Sequence, residues 1–149
     1  INSNPIKLMS DKFEQISLKP GFMMHNGGLL FRNISEEDYE FKTSINKNHL
    51  NSAGITHGGY ICSIIDAGAG TAVHRSSGNA PCVTVSLDIK FISPTKAKDE
   101  ILGKVKILKK TKSMVFISCN LISNSKIVAV ATGIWKKLKV NQSELGPGG

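Results

Sequence analysis

Asn51-Ser52-Ala53-Gly54-Ile55-Thr56-His57-Gly58-Gly59-Tyr60-Ile61-Cys62-Ser63-Ile64-Ile65-Asp66 is the stretch on which the fold of this chain turns. A polar loop runs into two glycines. Behind them, apolar or small residues fall at Ile61, Ile64, Ile65, Gly68, Ala69, Ala72 and Val73. That is the i, i+3, i+4, i+7 recurrence of one buried helical face. The spacing predicts a helix from Gly58 to about Arg75, ended by Ser76-Ser77-Gly78-Asn79, where Gly78 or Asn79 can take the left-handed conformation of a C-cap. The first amides of a helix have no intrahelical partner and stand at the positive end of its dipole. Gly58 and Gly59 therefore offer N–H groups that a ligand oxygen can approach closely.

Asp66 lies well off the centre of the apolar face. Its neighbours there are Cys62, Ser63, Ala67 and Gly70, where a charge turned to water is normally flanked by Lys and Glu. A lone Asp on a helix is most often simply exposed. The small neighbours and the glycine-opened N-terminus weigh the other way, and predict that something packs against this second face.

Working outward, Leu29 to Ile34 and Tyr39 to Ile45 read as a hairpin reversed at Ser35 to Asp38. Phe13 to Leu18 reads as a short helix or lead-in, punctuated by Pro20-Gly21, and His25-Asn26-Gly27-Gly28 as a turn. Asn46 to Thr56 is a long Asn- and Ser-rich loop of the kind that often carries function. Beyond the helix the period changes to two. Val83, Val85, Leu87, Ile89 and Phe91 alternate with Thr84, Ser86, Asp88 and Lys90, and Ser93-Pro94-Thr95 stops the strand. The alternation puts Thr84 on the polar face with Asp88 and Lys90. Three more strands follow, at Glu100 to Lys109, Met114 to Ile122 and Ile127 to Leu138, joined by short turns as an antiparallel meander. The expected fold class is α+β, an antiparallel sheet of about six strands wrapped around one long central helix. Residues 1–140 are expected to form a single domain with a loose start, and 141–149 a disordered tail.

The 149 residues carry a net charge of +8, with 40 % hydrophobic and 20 % charged residues, as in an ordinary globular domain. No apolar run reaches the roughly 18 residues of a membrane span, so no stable membrane insertion is expected. Cys62, Cys82 and Cys119 are odd in number, sit in apolar patterns and read as reduced core thiols. This favours an intracellular protein, cytoplasmic or organellar, with the mitochondrion among the options. No cysteine has a His at metal-ligand spacing, and no metal or cofactor is expected. The basic residues cluster late, at Lys96, Lys98, Lys104, Lys106, Lys109, Lys110, Lys112, Lys136, Lys137 and Lys139. Aromatics make up only 6 % and do not alternate with them, so the stacking platform of a nucleic-acid binder is missing. A solvated lysine face is the plainer reading.

Asn51-x-x-Gly54-x-x-His57-Gly58-Gly59, with Asp66 nine residues after His57, resembles the hotdog-fold acyl-CoA thioesterases, above all the PaaI-like branch of the thioesterase superfamily. Val83 to Pro94 is similar to the central strand of that family with its Ser-Pro stop, and Val128 to Gly133 to its closing strand. The resemblance implies hydrolysis of an acyl-CoA thioester to free acid and coenzyme A, in the setting of fatty acid metabolism. Residue by residue, it gives Asp66 the part of the carboxylate that activates water or attacks directly. Gly58 matches the backbone N–H that polarises the carbonyl, and Asn51 the side-chain amide that helps it. Thr84 falls where relatives carry the hydroxyl that orients the water. His57 matches the motif histidine, which fixes the loop or meets the leaving sulfur. The resemblance also implies a homodimer with each site shared between two chains, pairing further into a homotetramer, and lysines near the coenzyme A phosphates. A hydratase with the same fold, a non-catalytic acyl-CoA-binding protein and a basic nucleic-acid binder are the rival readings.

Overall fold

The computed structural model describes residues 12–139. The readings for residues 1–11 and 140–149, the loose start and the tail, lie outside the described residues. The elements run β1 (Glu14–Gln15), α1 (Phe22–His25), β2 (Leu30–Asn33), β3 (Asp38–Ser44), a 3-10 turn (Lys47–His49), α2 (Gly58–Ser76), β4 (Cys82–Phe91), β5 (Glu100–Lys110), β6 (Met114–Ser123) and β7 (Lys126–Lys137). The strands form one sheet in the order β1-β2-β3-β5-β6-β7-β4, every pair antiparallel. All six strands read from the sequence are present. The seventh, β1, lies where a helix or lead-in was expected, and its two exposed residues are too few to show a period.

The chain leaves β3, crosses under the sheet as α2 and returns as β4 on the far edge, beside β7. β5, β6 and β7 form a meander of sequence neighbours after the helix, as β1, β2 and β3 do before it. Helix and edge strand are thus inserted between two strands, β3 and β5, that pair with each other. The sheet buries alternate residues against the helix, among them Phe41, Ile101, Val105, Ile117, Cys119, Leu121, Ala131 and Trp135. From α2 come Ile61, Ile64, Ile65, Ala69, Ala72 and Val73, each at most 4 % exposed. The helix ends at the expected place, where Gly78 and Asn79 both adopt positive φ and the Asn79 amide donates to the His74 carbonyl at 2.9 Å. Lys104 and Lys106 stand on the outer, solvated face of β5, and Lys106 lies 3.9 Å from Asp38 across the ladder.

Two aromatic rings set the gap between helix and sheet. Phe41 lies between Gly68 of the helix and Gly103 of β5, and a Cβ at either glycine would come within 2.2 Å of its ring atoms. Trp135 crowds Gly133 in the same way. These glycines provide space for a flat side chain where a methyl would collide. Gly103→Ala must therefore displace a fully buried ring, and it is expected to destabilise the protein by about 3 kcal/mol. The midpoint of urea unfolding measures this. An unchanged midpoint would mean that the Phe41 ring has room to shift.

One irregularity changes the face of a residue. In the β4–β7 ladder Thr84 pairs with Trp135 and Ser86 with Ile134, leaving Val85 as an extra residue in a β-bulge. After a bulge the alternation resumes on the opposite side. Thr84 therefore shares the helix-facing side with Leu87 and Ile89, while Ser86, Asp88 and Lys90 face out. This corrects the placement of Thr84 with Asp88 and Lys90.

Candidate functional site

The loop before α2 is closed at its base by backbone bonds. The His57 amide donates to the His49 carbonyl at 2.8 Å, and Leu50 bridges Thr56. Inside that base the Asn51 amide donates to the Ile55 carbonyl at 2.7 Å. The Asn51 side chain folds the turn: Oδ1 accepts from the amides of Ala53, at 2.9 Å, and Ile55, at 3.3 Å. Gly54 supplies the positive φ that the turn needs. The Oδ1 atom is thus occupied, while Nδ2 makes no hydrogen bond among the described residues. A second clamp holds the loop from outside. The buried Thr56 and Thr95 are joined by a hydroxyl bond of 2.7 Å, and the Thr56 amide donates to the Thr95 carbonyl at 2.8 Å. The Ser-Pro stop after β4 is what brings Thr95 to this position.

His57 is the N-cap of α2. Its Nδ1 accepts from the Gly59 amide at 2.8 Å, which assigns the ring proton to Nε2. The amides of Tyr60 and Ile61 donate to the His57 carbonyl. Gly59 is consequently not the bare amide expected of it. Gly58 is: its N–H has no partner among the described residues. Gly58 and Asn51 line the same cavity, of about 370 Å³, together with the apolar side chains of Ile55, Ile61, Phe91 and Ile92. Two donors, one from a helix start and one from a side chain, therefore border an apolar recess.

Asp66 and Thr84 meet elsewhere. The Thr84 hydroxyl donates to Asp66 Oδ1 at 2.6 Å, and both residues are exposed. The bulge at Val85 makes this contact possible. Eight residues separate Gly58 from Asp66 along the helix, a rise of about 12 Å. Neither Asp66 nor Thr84 lines the cavity at Gly58. The chain thus presents the five sequence-selected residues as two groups: Asn51, His57 and Gly58 at the helix start, and Asp66 with Thr84 two turns on.

Residues the sequence reading passed over support the first group. His49 is 3 % exposed and stacks on Tyr60 with ring centroids 3.8 Å apart and planes 8° from parallel. The Tyr60 hydroxyl lies 3.1 Å from that of Thr43, and burial pushes the phenol above its ordinary range. The one available signal was a histidine two residues before Asn51, in a loop otherwise rich in Asn and Ser. Cys119 is buried, and that burial pushes its thiol up to about 12, which keeps it protonated and inert. Cys62 and Cys82 are also free thiols. Among the described residues no helix is long and apolar enough to cross a membrane. Nor does any group of three or more His, Cys, Asp or Glu among them stand ready to hold a metal ion.

A sheet wrapped on one long helix, with a His-Gly-Gly helix start and an acidic residue at mid-helix, defines a class, and the chain falls within it. The sequence profile of the thioesterase superfamily matches residues 53–129, more than half of the chain, and the protein belongs to that superfamily. Acyl-coenzyme A thioesterase 13 of Mus musculus is 30 % identical over 89 residues, 60 % of this chain and 64 % of that protein. The chain thus spans just under two thirds of the length of that relative. Zebra fish thioesterase superfamily member 2 superposes with a TM-score of 0.73 at 20 % identity, covering 93 % of this chain and 99 % of that one. The phenylacetic acid degradation protein PaaI from Thermus thermophilus, in a mutant form, superposes at 0.71 with 21 % identity, covering 78 % and 98 %. The architecture is the hotdog fold.

Proposed function

We propose that this protein hydrolyses an acyl-CoA thioester to the free acid and coenzyme A. The observation that carries the reading is that Gly58 and Asn51, whose N–H and Nδ2 groups have no partner among the described residues, line one largely apolar cavity. Attack on a thioester carbon places negative charge on the carbonyl oxygen. One preorganised donor at that oxygen is worth about 3 kcal/mol. Asp66 is the group we assign to the other side of the reaction. Its carboxylate takes a proton from the attacking water, or itself attacks the carbonyl carbon. The tetrahedral species then breaks its C–S bond, and the departing thiolate of coenzyme A picks up a proton. Where Asp66 is itself the nucleophile, this leaves the acyl group on its carboxylate as an anhydride, which water then hydrolyses to the free acid and the regenerated carboxylate. Thr84, already bonded to Asp66, is assigned to hold the carboxylate and the water in register.

Donors and carboxylate must meet within about 3 Å of one carbon, yet on one helix they stand about 12 Å apart. A second chain resolves this. Strand β4 has a free edge; it exposes Val83, Val85 and Phe91, and Ile92 follows directly after it, all between 42 % and 57 % exposed. A long apolar edge of this kind is a pairing surface unless it is covered. We assign it to a homodimer in which the loop and helix start of one chain face Asp66 of its partner. Dimers pairing further into a tetramer belong to the same reading, as do phosphate contacts from the late lysines.

The name of the mouse relative supports coenzyme A thioesters as the first substrates to try. A panel of acyl-CoAs of different chain length, straight and aromatic, is expected to show release of free thiol with at least one member, followed with a thiol-reactive dye. Binding of several members without release from any would replace this reading with that of a non-catalytic acyl-CoA-binding protein.

A further inference from the structure

We propose that His49 is a positioning residue of the site, setting the Asn51 amide against the Gly58 N–H. The inference rests on the reading of Asn51 and Gly58 given above. His49 holds three separate parts of the chain at one point. Nδ1 accepts from the Asn46 amide at 3.1 Å and so shapes the 3-10 turn that leads to Asn51. With Nδ1 accepting, Nε2 carries the proton and donates to the Asn26 carbonyl at 2.7 Å, in the turn before β2. The ring lies flat on Tyr60, the third residue of α2. Tyr60 is pinned in its turn through Thr43 of β3, whose hydroxyl also reaches the Gly28 carbonyl at 3.5 Å.

The consequence is geometric. Asn51 follows His49 by two residues, and Gly58 precedes Tyr60 by two. The stacked pair His49–Tyr60 therefore adds a side-chain tie, beside the backbone bonds at the loop's base, between the loop that carries one donor and the helix that carries the other. The backbone bond from the His57 amide to the His49 carbonyl closes the loop at its base. A buried, fully bonded ring can hold one geometry, whereas an apolar side chain of similar size would leave the Asn46 amide and the Asn26 carbonyl unpaired.

Three substitutions separate the bonds. His49→Asn keeps an acceptor near the place of Nδ1, His49→Gln keeps a donor near the place of Nε2, and His49→Ala keeps neither. Donors aligned on a developing oxyanion act in the transition state, so their misplacement lowers kcat and leaves KM nearly unchanged. With the acyl-CoA that the full-length protein turns over best, His49→Ala is expected to lower kcat about tenfold with KM nearly unchanged. At least one of the two polar variants should recover part of the loss. The deciding measurement is the same substitution made on Asn51→Ala. Once the amide is gone there is nothing left to position, so the second lesion should cost no further kcat. Should His49→Ala not fold, His49→Asn and His49→Gln enter the same comparison.

A wild-type kcat in the folded His49 variants would overturn the proposal, whatever their melting temperatures. A loss that multiplies with that of Asn51→Ala would also overturn it, because His49 would then act on something other than Asn51. Asn51→Ala turning over at the wild-type rate is a separate result. It removes the role given to the amide, and this inference with it, while leaving Asp66 untouched.

Discussion

Replacing Asp66 by Asn is expected to lower turnover about a hundredfold or more. The melting temperature should hardly move. The two effects separate because Asp66 takes no part in the core. It is exposed on α2, and its carboxylate's one hydrogen bond among the described residues comes from the Thr84 hydroxyl. Asn keeps the shape and keeps an oxygen for Thr84 to donate to. It removes the charge, and with it the capacity to take a proton from water or to attack a carbonyl carbon. Steady-state turnover with the best acyl-CoA of the panel, set beside a thermal melt, tests both halves. An Asn variant with near-normal turnover would mean that some other group activates the nucleophile. A large fall in melting temperature would mean that the lost activity came from unfolding.

What the sequence made legible follows from how strongly each element repeats. The helix was readable because its buried face recurs over 19 residues, and the structure starts it at Gly58 as the spacing requires. The six longer strands were readable from their alternation and from the polar turns between them. The two-residue β1 and the four-residue α1 were not, because neither completes enough periods to stand out. The side on which Thr84 lies failed for a different reason. Residues 83–91 alternate without a break, and a bulge adds a residue to the ladder without marking the sequence. His57 as a helix cap was also hidden, since capping is read from Ser, Thr, Asp and Asn. The clamp of Thr56 on Thr95 and the ring of His49 join residues far apart in the chain or buried in a loop. No local pattern announces such pairs. The two groups of site residues were recognisable together only through the family resemblance. Within one chain, the structure holds them apart.

That separation leads to the second large effect, which concerns mixtures. If each site takes Asn51 and Gly58 from one chain and Asp66 from its partner, two inactive proteins can make an active one. Asp66→Ala and Asn51→Ala should each be nearly dead. In a mixed dimer, one site joins the intact Asn51 of the first chain to the intact Asp66 of the second, and the other site carries both lesions. Random reassociation makes half of the dimers mixed, each with one good site of two, so roughly a quarter of wild-type activity should return. Both lesions leave the apolar residues Val83, Val85, Phe91 and Ile92 of the assigned dimer contact untouched, and native mass spectrometry of each parent checks that it still assembles. The subunits must be exchanged before the assay, by dilution and concentration or by brief partial unfolding, and native mass spectrometry on chains of different mass verifies that mixed dimers have formed. Activity that stays at the parental level in a sample proven to contain mixed dimers would refute the shared site. Asp66 and Asn51 would then serve the same chain across about 12 Å of helix, which one thioester carbon cannot bridge, so one of the two would have to lie outside the chemistry.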